Sequence, residues 1–421
     1  MNMILEQFPV VELNPPYFEQ MLILVQELQK NPHAVLMIES ASLHQFSCSQ
    51  CGECCRLPWT ISLTQDYYQQ WYSIFDQHPS GRFKEPFTIL PEANPDAYAD
   101  MRRKPKSAEC IFLEPDQSCF IHQHYGEAAL SSVCKKYPRV IKDIQQLFAS
   151  RTLLNSCRET PGFNESYGQI FCRKIDLKQL GQSRLIPSFE NYPDREIGYL
   201  WMAMGLDLLR TQTAASTLAR WKEMLVTLEW MDGIGLGKIT VEQMQTLYHD
   251  LISRLQLLDL KPTSVQNRHK ALDWSLNALN DHPGCYQWLK SIQNHQAPWP
   301  ILNEEERLLL DQQIQIYMSH RLLSMPQPDL FFSNLRFWQQ QMILGIQVTM
   351  LQWLCLYFRE TQQTPLEKEM VYRAVNAVGL RYEQRQKLSH DLQFANLSDQ
   401  GCLNSLMVLL DLDFASIWNQ I

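Results

Sequence analysis

The chain has 421 residues, 45% of them hydrophobic and 19% charged, with a net charge of -8. This length and composition exclude a disordered chain and leave room for two or three domains with a substantial core. The mild acidity argues against binding nucleic acid through a general positive surface, and the twelve cysteines direct attention to metal or disulfide chemistry.

The opening MNMILEQFPVVEL carries an acid at Glu6 and no basic segment ahead of an apolar run, so no export signal is expected. Asn14 is expected to cap a helix with Pro15 and Pro16 in its first turn, running to Lys30, and HAVLMI after it reads as a short extended piece. Next comes CSQCGECC, from Cys48 to Cys55. Four thiols lie within eight residues, with Gly52 between the second and third to let the backbone fold the sulfurs inward. Cys110, Cys119, Cys134 and Cys157 follow. Soft thiolates suit zinc or iron, and the set allows one four-sulfur site with spares or two complete sites. Adjacent Cys54 and Cys55 are awkward to satisfy with disulfides, so metal is the preferred reading.

Thr64 is a candidate N-cap for a helix striped with Tyr67, Tyr68, Trp71 and Tyr72, a pattern that reads as core. Residues 77–106 read as a long loop whose basic run, Arg102, Arg103, Lys104 and Lys106, reads as a solvated face. Pro115–Ser118 is a turn that brings Cys110 and Cys119 together. His122 and His124 are left out of the ligand set. A short helix delivers Cys134, and Tyr137-Pro138 stops it. Residues 166–193 are turn-rich, with Cys172 inside as an unpaired thiol, and are assigned as a linker.

Beyond Asp194 apolar residues recur at helical spacing, as in Leu218, Trp221, Leu225 and Leu228. Thr240 with Gln243 predicts one capping box and Thr364, Pro365 and Glu367 another, with further helices near 266–293, 303–324, 329–359, 381–396 and 401–419. DGIGLGKIT follows a helix rather than a strand and so reads as a glycine C-cap, not a phosphate loop. The most apolar run, Met342 to Phe358, is broken by Gln347 and Gln352, so no membrane span is expected and a cytoplasmic protein is. Cys285, Cys355 and Cys402 read as core thiols. The expected fold is mainly α. It comprises an irregular cysteine-rich metal-binding domain over 1–165, the linker, and an all-helical bundle over 194–421.

CSQCGECC with the LTQDYYQQWY helix, CIFLEPDQSCFI, YGEAALSSVCKKYPR and Cys157, in that order, resemble the CxxCxxCC zinc-or-iron-chelating cysteine-cluster family. Within it they resemble the branch called flagellin lysine-N-methylase, over roughly residues 46–160. The resemblance implies an iron–sulfur cluster, expected as 4Fe-4S with zinc as the alternative, held among Cys48, Cys51, Cys54, Cys55, Cys110, Cys119, Cys134 and Cys157. It also implies methyl transfer from S-adenosylmethionine to lysines of a protein substrate, flagellin or another surface protein. Tyr125, Tyr137 and Arg139, beside Cys134, are the candidates for lining such a site. The alternative is a non-enzymatic zinc- or iron-binding module that binds a partner or handles metal.

Overall fold

The computed structural model describes residues 10–30, 34–40, 47–56, 60–107, 109–144, 148–153, 170–176, 194–211, 215–256, 272–273, 275–276, 279, 282–324 and 337–383. The chain is mainly helical and divides into two compact units. One comprises Met1–His44, Ile141–Thr152 and Pro161–Ile421; the other comprises Gln45–Val140 and Leu153–Thr160.

The larger unit contains a sheet as well as helices. Its strands are β1 (Val10–Leu13), β2 (Ala34–Ser40), β6 (Arg139–Ile144), β7 (Phe148–Leu153) and β8 (Ile170–Asp176), in the order β1-β8-β2-β7-β6. Strand β2 runs antiparallel to β8 and parallel to β7. HAVLMI is therefore an inner strand, and Leu36, Met37 and Ile38 are all buried, as both faces of a covered strand require. Two expectations are corrected here. Residues 170–176 of the expected linker form β8, where Cys172 is 1% exposed, whereas the described elements within 194–383 are all helices and the sheet is drawn from segments before residue 177. The division near residue 165 also changes, because β1 and β2 precede the cysteine block yet pair with a strand that follows it.

Helix α1 (Tyr17–Gln29) buries Tyr17, Phe18, Met21, Leu22, Val25 and Leu28. It starts two residues later than an Asn14 cap predicts, and Pro16, at its N-cap, offers no side-chain bond. Its amino end is capped from afar by Asp207 of α6 (Arg195–Arg210), whose two oxygens accept from the Tyr17 and Phe18 N–H groups at 2.6 and 2.8 Å. Helix α6 is sheathed on most sides, and Tyr199 ties it to β2 by accepting from Leu36 N at 2.9 Å and donating to Leu36 O at 2.8 Å.

Around it pack α7 (Thr217–Ile234), α8 (Val241–Gln256), α9 (Pro283–Gln293), α10 (Glu304–Ser324), α11 (Phe337–Gln362) and α12 (Lys368–Glu383). The Thr240–Gln243 capping box forms with bonds of 2.9 and 3.3 Å. Gly235, at φ +97°, ends α7 as the C-cap reading predicts. The box at Thr364 does not form. Helix α12 starts at Lys368 because the Leu366 N–H is taken by buried Glu306 at 2.8 Å. Glu306 also shares reciprocal 2.9 Å bonds with Asn303 at the start of α10 and pairs with Arg359 of α11 at 2.7 Å. No helix among the described residues is long and apolar enough to cross a membrane. Gln347 and Gln352 are buried within α11. Of the helix expected over 381–396, residues 381–383 end α12 and the rest lies outside the described residues, as does the helix expected over 401–419 with Cys402.

The smaller unit is built from short pieces. These are α2 (Glu53–Arg56), β3 (Ser62–Leu63), α3 (Gln65–Asp76), β4 (Phe87–Ile89), β5 (Ala99–Met101), α4 (Phe120–Tyr125) and α5 (Ser132–Lys136). Thr64 caps α3 by accepting from Tyr67 N at 3.3 Å. The aromatic stripe of α3 packs on a core that includes Phe75, Phe83, Phe87, Phe112 and Phe120. The expected loop over 77–106 contains β4 and β5, which join β3 in an antiparallel sheet ordered β3-β5-β4. These strands of two or three residues are too short to leave an alternating pattern in the sequence.

Candidate metal centre

Within the smaller unit, Cys54, Cys55, Cys110, Cys119 and Cys134 line one enclosed cavity of about 20 Å3. Each arrives on a different local device. Cys54 and Cys55 ride on α2, which follows Gly52 at φ +70°. A Cβ on Gly52 would lie 1.9 Å from the Gln117 carbonyl oxygen, so only glycine lets the clip approach the turn that precedes Cys119. That turn is held by Asp116, which accepts from Ser118 N at 3.0 Å and from its hydroxyl at 2.7 Å, and the strands beside it meet at the Leu113–Cys119 bridge.

Cys110 reaches the same place because its N–H donates to Cys55 O at 2.7 Å; Arg103 donates to that carbonyl at 3.1 Å. Cys134 sits in α5, whose N-cap Ser131 accepts from Cys134 N at 3.2 Å. Apart from Ser131, the remaining lining is apolar or aromatic, including Ile61, Met101, Phe112 and Tyr137.

The sulfurs are electrostatically linked. Cys55 donates its thiol proton among Cys110, Cys119 and Cys54, which drives its own pKa far up. The converse holds for its neighbours. That hydrogen bond, working against burial, lowers Cys119 to about 7 and also lowers Cys110 and Cys54; backbone N–H groups of His122 and Ile121 add to the effect at Cys119. Cys134 is pushed up to about 12, chiefly by burial. The pocket thus divides its thiols, with Cys119, Cys110 and Cys54 drawn toward the thiolate and Cys55 and Cys134 held toward the protonated thiol.

A tetrahedral ion with sulfur ligands at about 2.3 Å sets those sulfurs about 3.8 Å apart, a spacing comparable to sulfur hydrogen-bond contact. Five cysteines on one cavity offer soft sulfur donors, the chemistry that zinc or iron would take. Among the described residues, no group of three or more His, Cys, Asp or Glu side chains is placed so that it could hold a metal ion as it stands. The thiols are gathered by their own hydrogen bonds.

The other expected ligands lie elsewhere. Cys48 is exposed and Cys51 half-buried, and neither lines the cavity, although Cys48 is within electrostatic reach of Cys54 and Cys119. Cys157 lies outside the described residues. None of the described cysteines is in a disulfide.

Of the candidate lining residues, Tyr137 borders the cavity. Tyr125 packs instead against Trp71 and Phe75, at centroid distances of 5.5 and 5.6 Å. Arg139 lies in β6. Sequence reasoning missed Tyr67. Its hydroxyl donates to Ala129 O at 2.9 Å, and its pKa is raised first by burial and then by the charges of Cys134, Cys119 and Cys110. Nothing in the α3 stripe distinguishes Tyr67 from its packing neighbours.

No protein-family model, no curated protein and no solved structure matches this chain.

Proposed function

We propose that this chain is an iron–sulfur protein whose cysteine pocket serves methyl transfer from S-adenosylmethionine to lysine side chains of a protein. The convergence of five cysteines, from segments as far apart in sequence as Cys54 and Cys134, on one enclosed cavity carries the metal part of the reading. The methyl-transfer part rests on the resemblance of the cysteine blocks to flagellin lysine-N-methylase. Cys54, Cys55, Cys110 and Cys119 would hold the metal group, with Cys134 beside them. The group would supply a Lewis-acidic, redox-capable centre. The residues around it supply a dry surrounding, which favours the neutral amine that attack on a methyl group requires. A cytoplasmic setting belongs to the same reading, since thiolate sites persist where thiols stay reduced.

One observation favours a second reading, a single structural zinc ion. The cavity of about 20 Å3 suits one atom-sized ion better than a four-iron cube. Incubation of anaerobically purified protein with S-adenosylmethionine and a lysine-bearing acceptor, read by mass spectrometry, tests the first reading. It predicts methylated lysine in the acceptor and S-adenosylhomocysteine in equal amount. Donor binding absent by calorimetry, together with stoichiometric zinc, would leave the structural reading standing instead.

A further inference from the structure

A second concavity in the smaller unit, of about 460 Å3, is lined by Arg82, Lys84, Arg102, Arg103 and Lys104, with Glu114 as the single acid in the lining. The lining side chains thus carry four net positive charges, with Glu85 beside Arg102 and Glu109 beside Lys104, in a chain whose net charge is -8. Such a concentration focuses potential inside a concave wall and attracts anions.

The cations are held largely by neutral carbonyls, which fix a side chain without cancelling its charge. Arg102 donates to Lys84 O at 3.0 Å, Arg103 to Cys55 O at 3.1 Å and Lys104 to Leu113 O at 2.8 Å. The carboxylates that do pair with them reach Arg102 and Lys104 only at 3.4 Å, and Arg82 pairs with Glu114. Arg82, Arg102 and Lys104 side chains keep 48%, 38% and 36% of their exposure, and Lys84 is exposed, so the charges are both placed and reachable. Phe83, Ile111 and Leu113 provide an apolar floor.

We infer that this pocket binds a small organic polyanion of the phosphate-ester class, its phosphates on the guanidinium groups and its body on the apolar floor. Planar guanidinium forks match phosphate oxygens two at a time, and the volume lies in the range of small-ligand pockets. S-adenosylmethionine, whose sulfonium and ammonium outnumber its carboxylate, is mismatched to such a lining. The inference therefore stands apart from the methyl-transfer reading.

The test is calorimetric titration of the protein, as purified with its metal, with inorganic pyrophosphate and with ADP at low salt and again at high salt. Saturable binding is expected for both, weaker at high salt. Lys84→Gln and Arg102→Gln should each weaken it by about tenfold or more, with metal content and melting temperature unchanged. Lys106→Gln, outside the lining, should leave it unchanged. Three results would overturn the inference: no saturable binding of either probe, binding indifferent to both pocket variants, or tighter binding of polyglutamate than of pyrophosphate. The last would make the surface a protein-docking site.

Discussion

The two units solve the same problem, holding a chain in one conformation, with different means. The larger one buries Trp201, Trp221 and Trp353 completely and caps the amino ends of its helices with carboxylates supplied by other helices, Asp207 for α1 and Asp311 for α7. In the smaller unit α3, at 12 residues, is the only described helix longer than six, and the strands have two or three residues. Its core combines phenylalanines with cysteine sulfurs. Small units with short elements rarely gain enough from apolar burial alone and need a staple. On the proposed metal reading the cysteines are that staple, so the difference between the units predicts that metal matters to one and not to the other.

The strongest way to break that contrast is to remove the metal. Chelation, or Cys55→Ser, should abolish the thermal transition of the smaller unit while leaving that of the helical unit in place, because a structural thiolate site contributes on the order of 10 kcal/mol to folding. Differential scanning calorimetry reads both transitions at once. A melting profile unaltered by Cys55→Ser would refute the contrast.

A smaller effect, about 3 kcal/mol or more, is expected from Gly52→Ala, since the new Cβ would meet the Gln117 carbonyl in a left-handed backbone. Metal content and the lower transition should fall together.

On the helical side, Glu306→Gln should cost about 3 kcal/mol with no loss of metal, because the carboxylate joins α10, Arg359 and Leu366 N. Burial alone would raise the Glu306 pKa, but Arg359 and the N–H groups of Asn303 and Leu366 outweigh it and hold the carboxyl below its usual 4.5. Its stabilisation is therefore complete above that value and lost as pH falls through the lower folded one. Denaturant titrations from neutral pH into this acid range should show wild type losing stability and Glu306→Gln changing less. The smallest effect is Cys355→Ala, a core thiol at 0% exposure, expected to cost about 1 kcal/mol and no metal.

Features written in local spacing were readable in the sequence. The Thr64 and Thr240 caps, the Gly235 helix stop and the joining of Cys110 with Cys119 across the Asp116 turn each depend on residues close along the chain. What was not readable depends on distant partners. Asp207 replaces Asn14 as the cap of α1, and Glu306 captures Leu366 and suppresses the Thr364 box. Strand β2 becomes an inner strand only because β7 and β8 flank it. The site divides in the same way. Cysteine type and spacing singled out the cysteine blocks, but only the fold separates the five cysteines that line the cavity from Cys48 and Cys51, and only the fold brings Tyr67 near the sulfurs.

The central claim is that the sulfur pocket is a metal centre. Iron, zinc and acid-labile sulfide should be measured in anaerobically purified wild type and Cys55→Ser, with an absorption spectrum recorded before exposure to air. The account predicts iron and sulfide in matching amounts in wild type and their loss in the variant. Wild-type protein free of iron and zinc, folded and with all its thiols open to titration, would contradict it.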